Sequence, residues 1–233
     1  MKLTEELSKE YRTLYQKMIY SYNIYITNHD VNKIIKKILN NKLRYVNVEM
    51  ETDVPWYVVA CLHAMESNCN FEKHLHNGDS LLNKTVNHPS DRPESNPPFT
   101  WVESAIDAIE YKGLDKWYDW TIEGVLFKIE GYNGFGYRMY HSHVKSPYLW
   151  SGTNHYTCGK YIADGKWSET AVSKQIGAAI ILRELIKTEQ VNDHESEIWA
   201  SNERLNFKTG RIITLIFIIL FILFIVFGFY IKE

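Results

Sequence analysis

The stretch HAMESNCNFEKHLHNGD, residues 63–79, holds the residue types from which acid–base chemistry is built. Glu66 closes the apolar run VPWYVVACLHAM, and His74, His76 and Asp79 follow it closely. A carboxyl whose base sits among apolar neighbours resists ionisation, because burial disfavours the charged form and raises the pKa. If the run is helical, Glu66 lies on its last turn and faces the negative end of the helix dipole, which pushes the same way. A carboxylic acid kept protonated near neutral pH can protonate a glycosidic oxygen, the first requirement for cleaving a bond between sugars. The plain alternative is an exposed glutamate at a helix end, and this segment alone leaves both open.

Inverting glycosidases pair such an acid with a second carboxylate about 6.5 to 9.5 Å away, leaving room for a water. Asp79, in HNGD, is the first candidate; it equally suits a cap for the loop that follows. Asp91 and Asp107 are further candidates, Asp107 within a helical segment where it would point to solvent. The pairs His74/His76 and His141/His143 place two rings on one side of a strand, but neither has a third ligand at a diagnostic spacing. They read as hydrogen-bonded loop histidines, with no metal expected. Gly131, Gly134 and Gly136 lack the strand–loop–helix setting and the lysine of a phosphate cradle. Three cysteines make no disulfide framework, and Cys61 and Cys158 read as small core residues.

The elements that must position these groups are mostly helical. Residues 3–24 and 29–42 carry helical spacing, with Val31, Ile34, Ile35 and Ile38 on one face and Asn28-His29-Asp30 as capping residues. Asp53 is the expected N-cap of the segment ending at Glu66, with Pro55 in its first turn. Its apolar residues cover most of the circumference, as in a helix buried nearly all round. Residues 83–100 hold four of the six prolines and read as loop. Further helices are expected at 101–112, 114–131 and 168–187, the last opening on Ser168 and Glu169. Strand signals are few.

Composition narrows the function classes. A net charge of -2 gives no global basic field for nucleic acid. Seven Trp and sixteen Tyr supply rings that fill cores and also line carbohydrate grooves. Tyr148, Trp150, Ser151, Asn154 and Tyr156 fall in one aromatic-rich segment, suited either to stacking on sugar faces or to a tyrosine-rich core.

Several motifs in fixed order resemble the lysozyme-like superfamily, especially lytic transglycosylases and goose-type lysozymes. They are PWYVVACLHAMES (55–67), HLHNGDSL (74–81), PPFTWVESAIDA (97–108), EGYNGFGY (130–137), SPYLWSGTNHYTCGKYIADG (146–165) and Q-x-GAA (175–179). The nearer likeness is to a bacterial and phage branch of peptidoglycan hydrolases, and it spans residues 5–187. The resemblance implies a lysozyme-like helical domain with little β structure. It implies that Glu66 is the catalytic acid and that Tyr132 and Asn133 hold the sugar beside it. Beside these, the residues themselves offer His76, Tyr137, Tyr148, Trp150 and Asn154 as further candidates for the sugar site, with Asp79 as possible base. A lytic transglycosylase manages with one Glu, acid then base, because the sugar's own hydroxyl attacks. Such chemistry needs no cofactor.

The C-terminal part departs from this pattern. Residues 212–231, IITLIFIILFILFIVFGFYI, carry no charge, and as a helix they would span roughly 30 Å, the hydrocarbon thickness of a bilayer. The N-terminus has no apolar h-region of a signal peptide. The sequence therefore predicts helices at 1–50 packed on a catalytic domain at 51–187. A polar tether at 188–211 and a tail anchor at 212–231 follow. Arg204, Lys208 and Arg211 precede the span and Lys232 follows it, which puts the large domain on the cytoplasmic side. A virion or host membrane would suit a wall-cleaving enzyme held this way. Expected partners are the lipid bilayer and peptidoglycan or a related amino-sugar polymer. Two competing readings share the scaffold: a catalytically silent glycan-binding or structural membrane protein, and a chitosanase-like hydrolase.

Overall fold

Helix α4 (Trp56–Ser67) is the axis of the structure, and every residue from Trp56 to Met65 is buried. Burying side chains the size of Val58, Val59 and Leu62 stabilises by about 1.5 to 3 kcal/mol each. The computed structural model describes residues 1–22, 25–163 and 165–189. Almost all of the expected tether and the whole apolar span at 212–231 lie outside the described residues. Among the described residues no helix is long and apolar enough to cross a membrane.

The described part is mainly α. Around α4 lie α1 (Glu5–Gln16), α2 (Asn28–Leu39), α3 (Lys42–Thr52), α5 (Trp101–Tyr111), α6 (Ile122–Asn133) and α9 (Ala178–Glu189). Two short turns of helix, α7 (Gly136–Tyr140) and α8 (Pro147–Trp150), join α6 to an antiparallel hairpin. That hairpin is β1 (Lys160–Ala163) with β2 (Lys166–Ser168). Helix α4 packs against α3, α6 and α9; α1 packs on α6, and α8 bridges α6 and α9.

Local chemistry explains the boundaries, including those that differ from expectation. Thr27, one residue before the expected caps, closes a reciprocal capping box with Asp30 at the start of α2. Thr100 and Glu103 form the same device on α5. Asp53 does not cap α4: it is the left-handed C-cap of α3, at φ 60°, and Pro55 takes the N-cap position. The first helix stops at Gln16 rather than near residue 24. Beyond it Ile19 N–H donates to Asn154 Oδ1 (2.8 Å) and Ser21 N–H to the Gly152 carbonyl (2.9 Å), which pulls the chain straight.

Helix α6 begins at Ile122 rather than 114. The preceding turn crosses so close that a Cβ on Gly124 would stand 1.9 Å from the Asp119 carbonyl oxygen. Helix α9 begins ten residues later than the expected Ser168, because Ser168 pairs with Lys160 in the hairpin. Gly177 then donates its N–H to the Ser151 carbonyl, seating the start of α9 on α8. Residues 83–100 contain neither helix nor strand, as their prolines predict. Cys61 is buried as expected, but Cys158 is exposed because it falls on the open turn before β1.

Candidate active site

Helix α4 ends where its acid emerges. Asn68, at φ 54°, and Cys69, at φ 55°, turn the chain back immediately after Glu66-Ser67. Phe71 then anchors the return, its ring 4.6 Å from the His63 centroid and 4.8 Å from that of Trp101. The loop 74–79 folds against the helix end. Gly78 sits so close to the Glu66 carbonyl oxygen that a Cβ there would approach it to 2.7 Å, and its φ of +78° also suits glycine.

Three groups from distant elements face the Glu66 carboxyl. The Tyr148 hydroxyl, on α8, donates to Glu66 Oε1 at 2.6 Å. Tyr132, at the end of α6, is buried beside it and donates its hydroxyl to the Leu75 carbonyl at 2.9 Å. Lys112, at the C-cap of α5, donates to the Tyr132 carbonyl at 3.0 Å, with Nζ 5.0 Å from the centre of that ring. Burial raises the Glu66 pKa to about 7, against the opposing pull of the Tyr148 hydrogen bond and the Lys112 ammonium. Lys112 is itself pushed down by burial, with Glu66 acting against that push.

A cleft of about 680 Å³ opens beside Tyr148. Its walls come from the α6–α7 junction, with Asn133 and Tyr137, from the hairpin, with Lys160 and Tyr161, and from Ser173 and Gln175. Gln175 also donates its side-chain amide to the Met65 carbonyl, tying this wall to the end of α4. Behind the hairpin, His141 stacks on Trp167 with centroids 3.5 Å apart and planes at 7°. Its Nε2 lies 3.1 Å from the Tyr161 hydroxyl, and Tyr137 packs edge-on to Tyr161 and Trp167.

The sequence-based candidates thus divide. Glu66, Tyr132 and Tyr148 come together, and Asn133 and Tyr137 line the adjoining cleft. Asp79 lies on the neighbouring loop, where its carboxylate is engaged by four donors. These are the Asn77 amide (3.0 Å), Val86 N–H (2.9 Å), Asn87 N–H (3.0 Å) and the Asn87 amide (2.7 Å). Burial pushes its pKa up, but the backbone donors of Asn87 and Val86 outweigh this and hold it below the ordinary value.

His76 is buried, and its Nε2 lies 2.7 Å from Asp107 Oδ2. Asp107 does not point freely to solvent but also receives the Arg92 guanidinium. Burial lowers the His76 pKa to about 4, despite Asp107. His74 contacts Ser104 Oγ at 2.7 Å and the Asn83 carbonyl at 2.8 Å, so this pair sits in a loop rather than a strand. Among the described residues no three His, Cys, Asp or Glu side chains gather as a metal site would require.

Trp150 and Asn154 stand away from the cleft. Trp150 is fully buried in the core, edge-on to His155, and Asn154 ties down residues 17–19. Sequence reasoning missed Lys112, Lys160 and Tyr161. Lys160 and Tyr161 fall inside the motif at 146–165 but were not singled out there, Lys112 falls in no motif, and the packing of α5 and the hairpin brings them here. Comparison with protein-family models, with curated proteins and with solved structures found no match for this chain.

Proposed function

We propose that the protein is a glycosidase of lysozyme-like type that cleaves peptidoglycan at a β-1,4 bond, with Glu66 as general acid. We propose also that residues 212–231 anchor it in a membrane. The observation that carries the reading is the setting of Glu66. A carboxyl at the end of a buried helix, held by the hydroxyl of a tyrosine that lines a cleft, has its pKa raised to about 7. An acid so poised keeps its proton in about half of the molecules at pH 7, against almost none for an ordinary glutamate, and can deliver it to a leaving oxygen.

With all four of its donors in place, Asp79 serves the loop that closes on α4 rather than a water. Glu66 therefore acts in both steps. It protonates the leaving oxygen, then as carboxylate takes the proton of the sugar hydroxyl that attacks the anomeric carbon. Tyr148 orients the carboxyl, and the Lys112 ammonium stabilises it after the proton has left. Asn133 and the cleft tyrosines hydrogen-bond the sugar.

The test is Glu66→Gln in the full chain, solubilised in detergent and assayed on purified cell wall. Loss of at least about a hundredfold in turnover is expected. Wild-type turnover in the variant sinks the mechanism. Mass spectrometry of the wall fragments reads the second step: an anhydro product is one water lighter than a hydrolysed one.

A further inference from the structure

The cleft lined by Tyr148, whose hydroxyl holds Glu66, carries an asymmetry of charge that the chemistry of bond cleavage does not use. Among the described residues that line it, Lys160 is the one charged side chain. The other polar groups there, such as Asn133, Tyr161, Ser173 and Gln175, are neutral. Lys160 opens β1 opposite Ser168, half-buried, with no carboxylate in ion-pairing distance among the described residues. Neutral amides and hydroxyls suit the hydroxyl and acetamido groups of any amino sugar. An ammonium in a concave wall, with no carboxylate partner among the described residues, does more: the cleft focuses its field and favours a ligand bearing negative charge.

The geometry points to Lys160 as the specificity-determining residue of this cleft, one that pairs with carboxylates carried by the glycan strand. The inference rests on the glycan-cleaving reading of the same site and names its substrate class. The preferred strand is an amino-sugar polymer with acidic substituents, such as lactyl or peptide carboxylates. A neutral N-acetylated homopolymer fits the same hydrogen-bonding groups but leaves the ammonium unpaired. A cationic glucosamine polymer is repelled, which argues against the chitosanase-like alternative.

Binding without turnover isolates this term. The full-length Glu66→Gln protein in detergent micelles is titrated calorimetrically with three soluble probes. They are carboxylate-bearing peptidoglycan strands, N-acetylated chitin oligosaccharides and chitosan oligosaccharides. The acidic strand is expected to bind about two- to fivefold tighter than the neutral one at physiological salt, as befits a half-exposed ion pair. The preference narrows as salt rises. Adding Lys160→Gln abolishes the preference by weakening the acidic strand more than the neutral one, whereas Lys160→Arg retains it. A preference that survives Lys160→Gln, or equal losses on both strands, overturns the role of Lys160 while leaving the glycan reading intact. Failure of every strand to bind sinks that reading and the inference with it.

Discussion

Glu66 is held in a state that folding alone would not select. Its pKa, raised from 4.5 to about 7 by burial, corresponds to about 3 kcal/mol between the two protonation states. The folded-state value lies above the unfolded one. The native state therefore has its full advantage below about pH 4.5 and loses it as pH rises through 7. Glu66→Gln removes the ionisation and keeps an acceptor for Tyr148. The variant should be more stable than wild type at pH 8, by up to about 3 kcal/mol, and indistinguishable near pH 4. Chemical denaturation at the two pH values checks this, while turnover follows the opposite order. In the wild type, activity should decline as pH rises past about 7, where the acid loses its proton.

Tyr148→Phe removes a hydrogen bond that favours the carboxylate, so the alkaline limb of the pH–rate profile should move upward. Turnover should fall about tenfold through lost orientation. A limb that stays in place would show that Tyr148 does not act on the acid.

The element scale explains why that carboxyl stays where it is. The loop 74–79 lies on the end of α4 only because position 78 has no side chain. Gly78→Ala meets both a positive φ and the Glu66 carbonyl, and should cost about 1 to 3 kcal/mol in thermal unfolding. Activity should fall further than stability accounts for, since the displaced group is the backbone of the acid itself. Gly177 plays the corresponding part at α9, where a Cβ would stand 2.3 Å from the Leu149 carbonyl oxygen. Gly177→Ala should lower stability by a similar amount, because α8, which carries Tyr148, is seated there. Asp79 belongs at this scale as well. Asp79→Asn should loosen the 77–87 loop, read as faster amide exchange at Val86 and Asn87, without moving the pH–rate profile.

For the whole molecule, the proposed division of labour is between a helical unit that carries the site and an apolar tail that holds it at a bilayer. Expressed with its tail, the chain should resist alkaline extraction from membranes; cut after residue 211, it should be released. Release of the full chain would refute the anchor. Residues 212–231 carry no charge, and in a bilayer each Ile, Leu, Phe or Val near the centre would favour insertion by about 0.3 to 0.6 kcal/mol. Wall cleavage should persist in the released fragment if the unit Met1–Gln190 is sufficient for activity.

Local pattern alone determined much of this protein. The apolar run before Glu66 could only be buried all round, so a helix with an acid on its last turn followed from residue type and spacing. The proline-dense 83–100 stretch was equally legible, because prolines act on their own backbone, and α5 starts where that stretch ends. Tertiary structure decided the rest, where contacts cross long stretches of chain. Tyr148 reaches Glu66 from 82 positions away, and no local signal distinguishes it from Trp150, which the same short helix turns into the core. The late start of α9 arises from the pairing of Ser168 with Lys160 in the hairpin and from the close approach of Gly177 to Leu149, which the segment does not reveal by itself. Asp79 and Lys160 differ for the same reason. A charged side chain takes its role from the groups the fold sets around it: amide donors engage the Asp79 carboxylate, while the hairpin carries Lys160 to the wall of an open cleft.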